Sequence, residues 1–441
     1  MENWDLETEL VVVGAGACGL MASFAAAQRG VEVILLEKDT KLGCNTELAS
    51  GSIAAAGTRF QKALGIQGTP EQMAEEVMRK NGGRADREIV LALCRKARDV
   101  VDLIVDEVRL PLTLNTDAGR PGQSFLRMHN PPGRSGAPLV RAMHEALARF
   151  PNFTFADQTP GAGVLTDSRG AVNGVLCGAE GEQRIGAQKV ILACDGFGAN
   201  KEMLREYISE MAEAEYIGAQ GNTGDGIRWG MALGAALEHM SGHQGHGLVC
   251  PGYGTRLSPD IAVLGGILVN LNTERFVRED IGYSELAHVV LKQPRGLAVE
   301  IFDQRIYDIL AGTAHFRDTI EAGALRSGDT VEEIAAALRL DPAKLARSLE
   351  GSELEPRYYG AHITGGLAHT QGGLKIDVHG RVLRKDGGVI PNLYAGGGTA
   401  AGISGDSAEG YLSGNGLLSA LSMGLIAGEH AAAAIKAPES A

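Results

Sequence analysis

Several features are scarce in these 441 residues. The six cysteines, Cys18, Cys44, Cys94, Cys177, Cys194 and Cys250, include no C-x-x-C pair. Zinc ribbons, thioredoxin-like redox motifs and c-type haem attachment are therefore excluded, and reduced thiols in a cytoplasmic setting are expected. Positive charge is in deficit: 41 Lys and Arg against 54 Asp and Glu leave a net charge of −13. That balance argues against nucleic acid as a partner. Long hydrophobic runs are also few. Residues 10–27 alone resemble a signal h-region, but their flank MENWDLETE is acidic and three glycines interrupt the run. Neither secretion nor a membrane span is expected, there or elsewhere.

Glycine is abundant. The chain holds 61 of them, about twice the usual ~7%, which implies many tight turns and close backbone approaches. The length suits roughly two to three domains. The clearest motif is ELVVVGAGACGLMASFAAAQRGVEVILLEKD, where residues 10–13 read as a buried strand and residues 20–29 as a helix. Between them Gly14, Gly16 and Gly19 form G-x-G-x-x-G. The first glycine permits the turn, the second lets backbone approach a pyrophosphate, and the third lets helix pack on strand. Glu37 closes a second strand 18 residues past Gly19, the position of a carboxylate that holds a ribose hydroxyl. A dinucleotide on the helix N-terminus follows.

Further glycine-rich turns lie far apart: KLGCNTELASGSIAAAGT at 41–58, KVILACDGFGAN at 189–200, NTGDGIRWGMALGA at 222–235 and LYAGGGTAAGISG at 393–405. One domain assembled from both chain ends, with a second inserted between, explains the scatter. The expected architecture is α/β: a Rossmann-like dinucleotide-binding domain, for FAD or NAD, from residues 1–240 and 363–441, with an α+β substrate domain at 241–362. Within that insert, Thr330 and Glu333 suggest a capping box and Asp341 a cap before Pro342. The segment 69–108 reads as packing helices.

In order, these motifs resemble the FAD-dependent fumarate reductase and 3-ketosteroid dehydrogenase superfamily over about residues 10–431. CNTELASGSIAAAGT is similar to its segment beneath the isoalloxazine, ILACDGFGAN to its ATGGFGAN, NTGDGI to its TGDG, LVNLNTERFVRED to LVNREGKRFVNE, HTQGGLKID to HTMGGVKID and LYAGGGTAAG to LYAAGEVTGG. The resemblance implies cofactor contacts at Gly14, Gly16, Ala17, Cys18, Gly19, Glu37 and Lys38, then at Asn45, Thr46, Ser50 and Gly51. Further contacts are implied at Gly163, Ala193, Asp195, Asn200 and Asp225, and finally at Gly397, Gly398, Asn415, Gly416, Leu417 and Leu418. Relatives that bind FAD covalently carry a histidine where this chain has Asn45, so noncovalent FAD is implied.

The family splits by chemistry. Its fumarate reductases place an arginine just after RFVNE as proton donor and another in a C-terminal NRLGGN motif as carboxylate clamp. Here those positions are Tyr283, in ERFVREDIGYSE, and Tyr411, in EGYLSGNGLL, which resembles the pattern of ketosteroid Δ1-dehydrogenases. Removing a ketone α-proton suits a phenol, of ordinary pKa near 10, once the site lowers it. The enolate oxygen then needs a donor, which a second tyrosine and a glycine loop supply. Tyr283 as base and Tyr411 as donor, with His129, Arg134, His369, Gly414 and Asn415 binding substrate, make a dehydrogenase of a cyclic ketone that passes electrons to an unspecified acceptor. Polar residues around the site suggest a small, acidic ring. Arg134, or else Arg127, is the candidate carboxylate holder, and His243 and His246 lie close to a substrate histidine of the family with shifted spacing. No metal site is expected, since neither histidine pair has a third ligand at metal spacing. The rival readings are a reductase of an enone or unsaturated acid, and a flavin-binding protein without turnover.

Overall fold

The computed structural model describes residues 3–117 and 119–437; the outermost ends of the expected domains, at 1–2 and 438–441, lie outside it. Strand Leu6–Val13 runs between Val33–Leu36 and Gln183–Leu192, parallel to both. Its inner half is buried on both faces, which is why residues 10–13 are continuously apolar rather than alternating. Phe153–Ala156 extends the sheet on one side. On the other side Val389–Ala395 adds in parallel to Gln183–Leu192, so a strand from late in the chain completes the sheet begun by the first. Eight strands make up this sheet among the described residues.

The N-terminal helix Ala17–Ala27 is buried along its whole length, and the 22-residue helix Asn415–Lys436 crosses it. Two glycines allow the crossing. A Cβ on Gly424 would stand 2.5 Å from the Cys18 carbonyl oxygen, and one on Gly428 would collide with that of Ala22. Helix Asn415–Lys436 is also long and apolar enough to cross a membrane by length and composition, which the sequence reading did not foresee. Here that apolar surface packs into the core, with Leu418, Leu421 and Leu425 buried.

A second, seven-stranded sheet is built around the long strand Tyr358–Thr370, which pairs antiparallel with His243–Cys250 and Leu297–Asp303. This strand runs without a break through position 362, where the expected substrate domain ends. Its core is separate, formed by Phe302, Phe316, Ile334 and Leu345 among others. Helix Val331–Leu338 starts as expected with Thr330 accepting from the Glu333 N–H at 3.2 Å, but the Glu333 carboxylate turns to the Asp329 N–H at 2.7 Å. Asp341 caps Pro342–Leu349 through the Lys344 N–H at 2.9 Å.

One more pair of glycines fixes the site. Helix Tyr283–Leu291 lies against strand His243–Cys250, where a Cβ on Gly245 would stand 2.6 Å from Ala287 Cβ and one on Gly247 2.5 Å from Leu286 Cγ. The Ser284 hydroxyl accepts from the Gly245 N–H at 3.0 Å. The first residue of that helix is Tyr283.

The helix crossing is testable. Gly428→Val forces the two helices apart, at a cost of about 1–3 kcal/mol for overpacking, and thermal unfolding followed by circular dichroism should show Tm lowered by several degrees. An unchanged Tm would mean the crossing does not need glycine there.

Candidate active site

A cavity of about 310 Å³ lies where the two sheets meet, lined by both halves of the chain. At one end is the glycine turn. Gly14 has φ +104°, and a Cβ there would stand 2.5 Å from the Ala193 oxygen. Gly16 offers no capping side chain to helix Ala17–Ala27, so its first turn keeps donors and a positive dipole end for an anion. The Thr46 hydroxyl takes only the Ala17 N–H, at 3.0 Å. Glu37 lines the same end and accepts from the Ala15 N–H at 2.8 Å. Lys38 donates to Asp225 at 2.8 Å and to the Gly221 carbonyl at 2.7 Å. Although burial opposes it, Lys38 and Thr223 hold the Asp225 carboxyl below the usual carboxylate range. Helix Asn415–Lys436 begins at Gly414, with φ +94° and no side-chain cap, aiming a second positive end at the cavity. A pyrophosphate-bearing, planar cofactor fits this cradle of glycines and helix ends.

Most of the residues expected to touch cofactor line the cavity: Cys18, Asn45, Ser50, Ala193, Asp195, Gly397, Gly398, Gly416 and Leu417, beside those just described. Others lie elsewhere, each for a packing reason. Gly19 abuts the Gly14 carbonyl, and Gly51, at φ +70°, sits against Pro131. Gly163 belongs to a hairpin, where Gly161 is the lining residue. Asn200 caps helix Lys201–Tyr207, Leu418 is core, and Asn415 donates to Ser404 at 3.1 Å. Asn45 accepts from the Ala219 N–H at 2.8 Å.

At the other end, Tyr283 and Tyr411 meet edge to face with ring centroids 6.2 Å apart. Tyr411 follows the turn Ala408–Gly410 and its hydroxyl accepts from the Gly416 N–H at 3.4 Å. The expected lowering of the phenol pKa does not occur. Burial pushes Tyr283 above its usual 10, against the opposing pull of the Ser413 and Tyr411 side chains and of Arg120 and Arg256. Tyr411 is pushed well above its usual value by burial and by the neighbouring Tyr283. The cations and polar neighbours thus favour phenolate at Tyr283 rather than at Tyr411.

His369 lines the cavity with its ring 5.7 Å from Tyr411 and its Nδ1 3.1 Å from Gln371 Nε2. His129 does not line it. It is fully buried, 2.8 Å from the Thr58 hydroxyl, and desolvation drops its pKa to about 4. Arg127 is buried against Glu76. Arg134 reaches the cavity wall but is paired with Asp117, and stands 3.5 Å from Asp260, which also holds Arg120. Of the two spaced histidines, His246 lines the cavity 5.3 Å from the Tyr283 ring. Its Nδ1 accepts from the Leu248 N–H at 3.4 Å, which leaves the proton on Nε2. His243 points away.

Among the cavity residues that went unrecognised in the sequence are Arg120, Arg256 and His315. Arg256 Nη2 donates to the Leu48 carbonyl at 2.6 Å and to His315 Nε2 at 3.0 Å. Among the described residues no carboxylate pairs with it. Burial lowers the His315 pKa to about 4, with Arg256 adding to the effect, so its neutral ring accepts from the guanidinium. Arg256 lies in the turn-rich stretch CPGYGTRLSPD, where a lone arginine carries no spacing signal.

Comparison with known proteins agrees with this geometry. The family described as "FAD binding domain" matches residues 9–417. A "Fumarate reductase (cytochrome)" of Shewanella frigidimarina is 30% identical over 446 residues, covering 96% of this chain and 77% of that protein. A "3-oxosteroid 1-dehydrogenase" of Mycobacterium tuberculosis strain H37Rv is 25% identical, covering 92% of this chain and 95% of its own. The structure of a flavocytochrome c3 fumarate reductase in an open conformation superposes with a TM-score of 0.83 at 26% identity, covering 99% of this chain and 80% of that one. With the glycine turn, the two helix ends and the 9–417 match in accord, the chain belongs to the FAD binding domain family and is an FAD-dependent oxidoreductase.

Proposed function

We propose that this oxidoreductase acts on CH–CH bonds, desaturating a small cyclic ketone that bears a carboxylate. The observation that carries the reading is the facing pair Tyr283 and Tyr411, where a dicarboxylate site would gain from bidentate arginines. Tyr283, supported by Arg120 and Arg256, takes the proton from the α-carbon onto its phenolate oxygen. Tyr411 donates a hydrogen bond to the carbonyl oxygen as negative charge develops there, while the Gly416 N–H holds the Tyr411 hydroxyl in place. Bound FAD supplies the two-electron acceptor for the hydride leaving the β-carbon, and the double bond forms between the two carbons. A separate acceptor must then take the electrons.

Arg256, rather than Arg134, is positioned for the substrate carboxylate. Both Arg134 and Arg120 already face Asp260, whereas Arg256 has His315 and a carbonyl as partners. The same cationic wall, together with the likeness to fumarate reductases, favours a second reading, reduction of an unsaturated acid with Tyr283 as proton donor. The six free thiols support placing the protein in the cytoplasm.

Anaerobic mixing decides between the two directions. Saturated cyclic keto acids should bleach the flavin; bleaching by none of them, with reoxidation of the reduced protein by enones or unsaturated acids, would sink the dehydrogenase reading. Tyr283→Phe should cut the bleaching rate by about 10²–10⁴-fold while FAD absorbance is retained. Near-normal rates would remove Tyr283 from the base role.

The pH dependence carries a sign. A phenol held above its usual pKa by burial is protonated at neutral pH, and its phenolate fraction grows tenfold per pH unit below that pKa. Stopped-flow bleaching rates should therefore climb with about unit slope through neutral and mildly alkaline pH. In the reductive direction the neutral phenol is already the active form, and a flat profile there is expected. Arg256→Met should raise KM for a keto acid at least about tenfold, while leaving KM for a neutral ring ketone nearly unchanged, even though loss of its charge slows both substrates through Tyr283; equal KM effects on both would remove Arg256 from carboxylate recognition.

A further inference from the structure

Outside the cavity, the histidine that points away from it has company. Nε2 of His243 stands 3.0 Å from Nε2 of His288, with the rings 5.1 Å apart at 68°. The ligand atoms of these two and of Glu210 all lie within 4.8 Å of one another. Two nitrogens bound to one zinc at about 2.0–2.1 Å in a tetrahedron would be roughly 3.3 Å apart, close to the separation seen. Nδ1 of His243 lies 2.9 Å from the Ser241 carbonyl oxygen. That bond puts its proton on Nδ1 and the lone pair on Nε2, the arrangement an outer carbonyl imposes on metal-binding imidazoles. Glu409 adds negative charge facing both rings.

The four groups come from different parts of the fold. Glu210 sits in the turn Ser209–Met211, His243 opens strand His243–Cys250, and His288 is in the helix that begins with Tyr283. Glu409 is in the turn just before Tyr411. The sequence shows only two histidines of a kind, because the carboxylate and His288 arrive from 33 residues before and 45 residues after His243.

The geometry points to a site for one zinc-type divalent cation on Glu210, His243 and His288, with water in the fourth position. Such an ion ties the helix carrying Tyr283 to the turn at 209–211, and so acts as a clamp on the placement of Tyr283 without touching the reacting atoms. Nitrogen and carboxylate donors at tetrahedral spacing suit zinc better than calcium or magnesium, which take oxygen shells.

The test uses the FAD-loaded protein, treated with chelator and then incubated with zinc sulfate and desalted. Elemental analysis should find one equivalent of zinc retained, with affinity at least tenfold weaker in His288→Gln and in Glu210→Gln; FAD content checks that both variants fold. Hydrogen exchange at residues 283–291 should slow at least fivefold with zinc in the wild type and not in His288→Gln. If the wild type retains no more zinc than the Glu210→Gln/His288→Gln double variant, the contact is a plain histidine hydrogen bond and the site is refuted. Zinc bound at one equivalent with unchanged exchange would overturn the clamp.

Discussion

Two helix N-termini converge on one cavity because two helices can touch backbone to backbone. Gly424 and Gly428 bring Asn415–Lys436 against Cys18 and Ala22 of the first helix, and that contact sets the positive ends at Gly16 and Gly414 on the same space. Everything electrostatic about cofactor binding depends on this juxtaposition, since an unpaired N–H and a helix dipole act only within about the first turn.

The substrate end depends on a similar device. Gly245 and Gly247 let helix Tyr283–Leu291 settle onto its strand, placing Tyr283 opposite a residue 128 positions away in the chain. The phenols then line the cavity wall, and desolvation dominates their titration. Arg120 and Arg256 work against it at Tyr283, so two chemically identical side chains titrate differently, as the proposed split into proton acceptor and hydrogen-bond donor requires. Neighbours rather than residue type set that difference.

Arginine placement follows the same logic. Arg134, or else Arg127, is the carboxylate holder that the sequence suggests, yet Glu76, Asp117 and Asp260 occupy them. Arg256 stands out only in three dimensions, where among the described residues no carboxylate meets it and a neutral histidine accepts one of its N–H groups. His129 likewise lost its candidate role to burial beneath Thr58 and Phe60.

The dinucleotide turn, the sheet built from both chain ends and the FAD family were legible in the sequence because each rests on local pattern: glycine spacing, β-branched runs and an acid at a fixed distance. Tyr283 and Tyr411 were singled out in the same way, by motif position. Partnership was not legible. Which cavity arginine is left without a carboxylate among the described residues, which histidine faces the cavity and how far each phenol is desolvated depend on contacts between residues tens to hundreds of positions apart, such as Arg256 with His315 or His243 with His288. The free energy of a buried charge is settled by those neighbours, and only the tertiary structure brings them together.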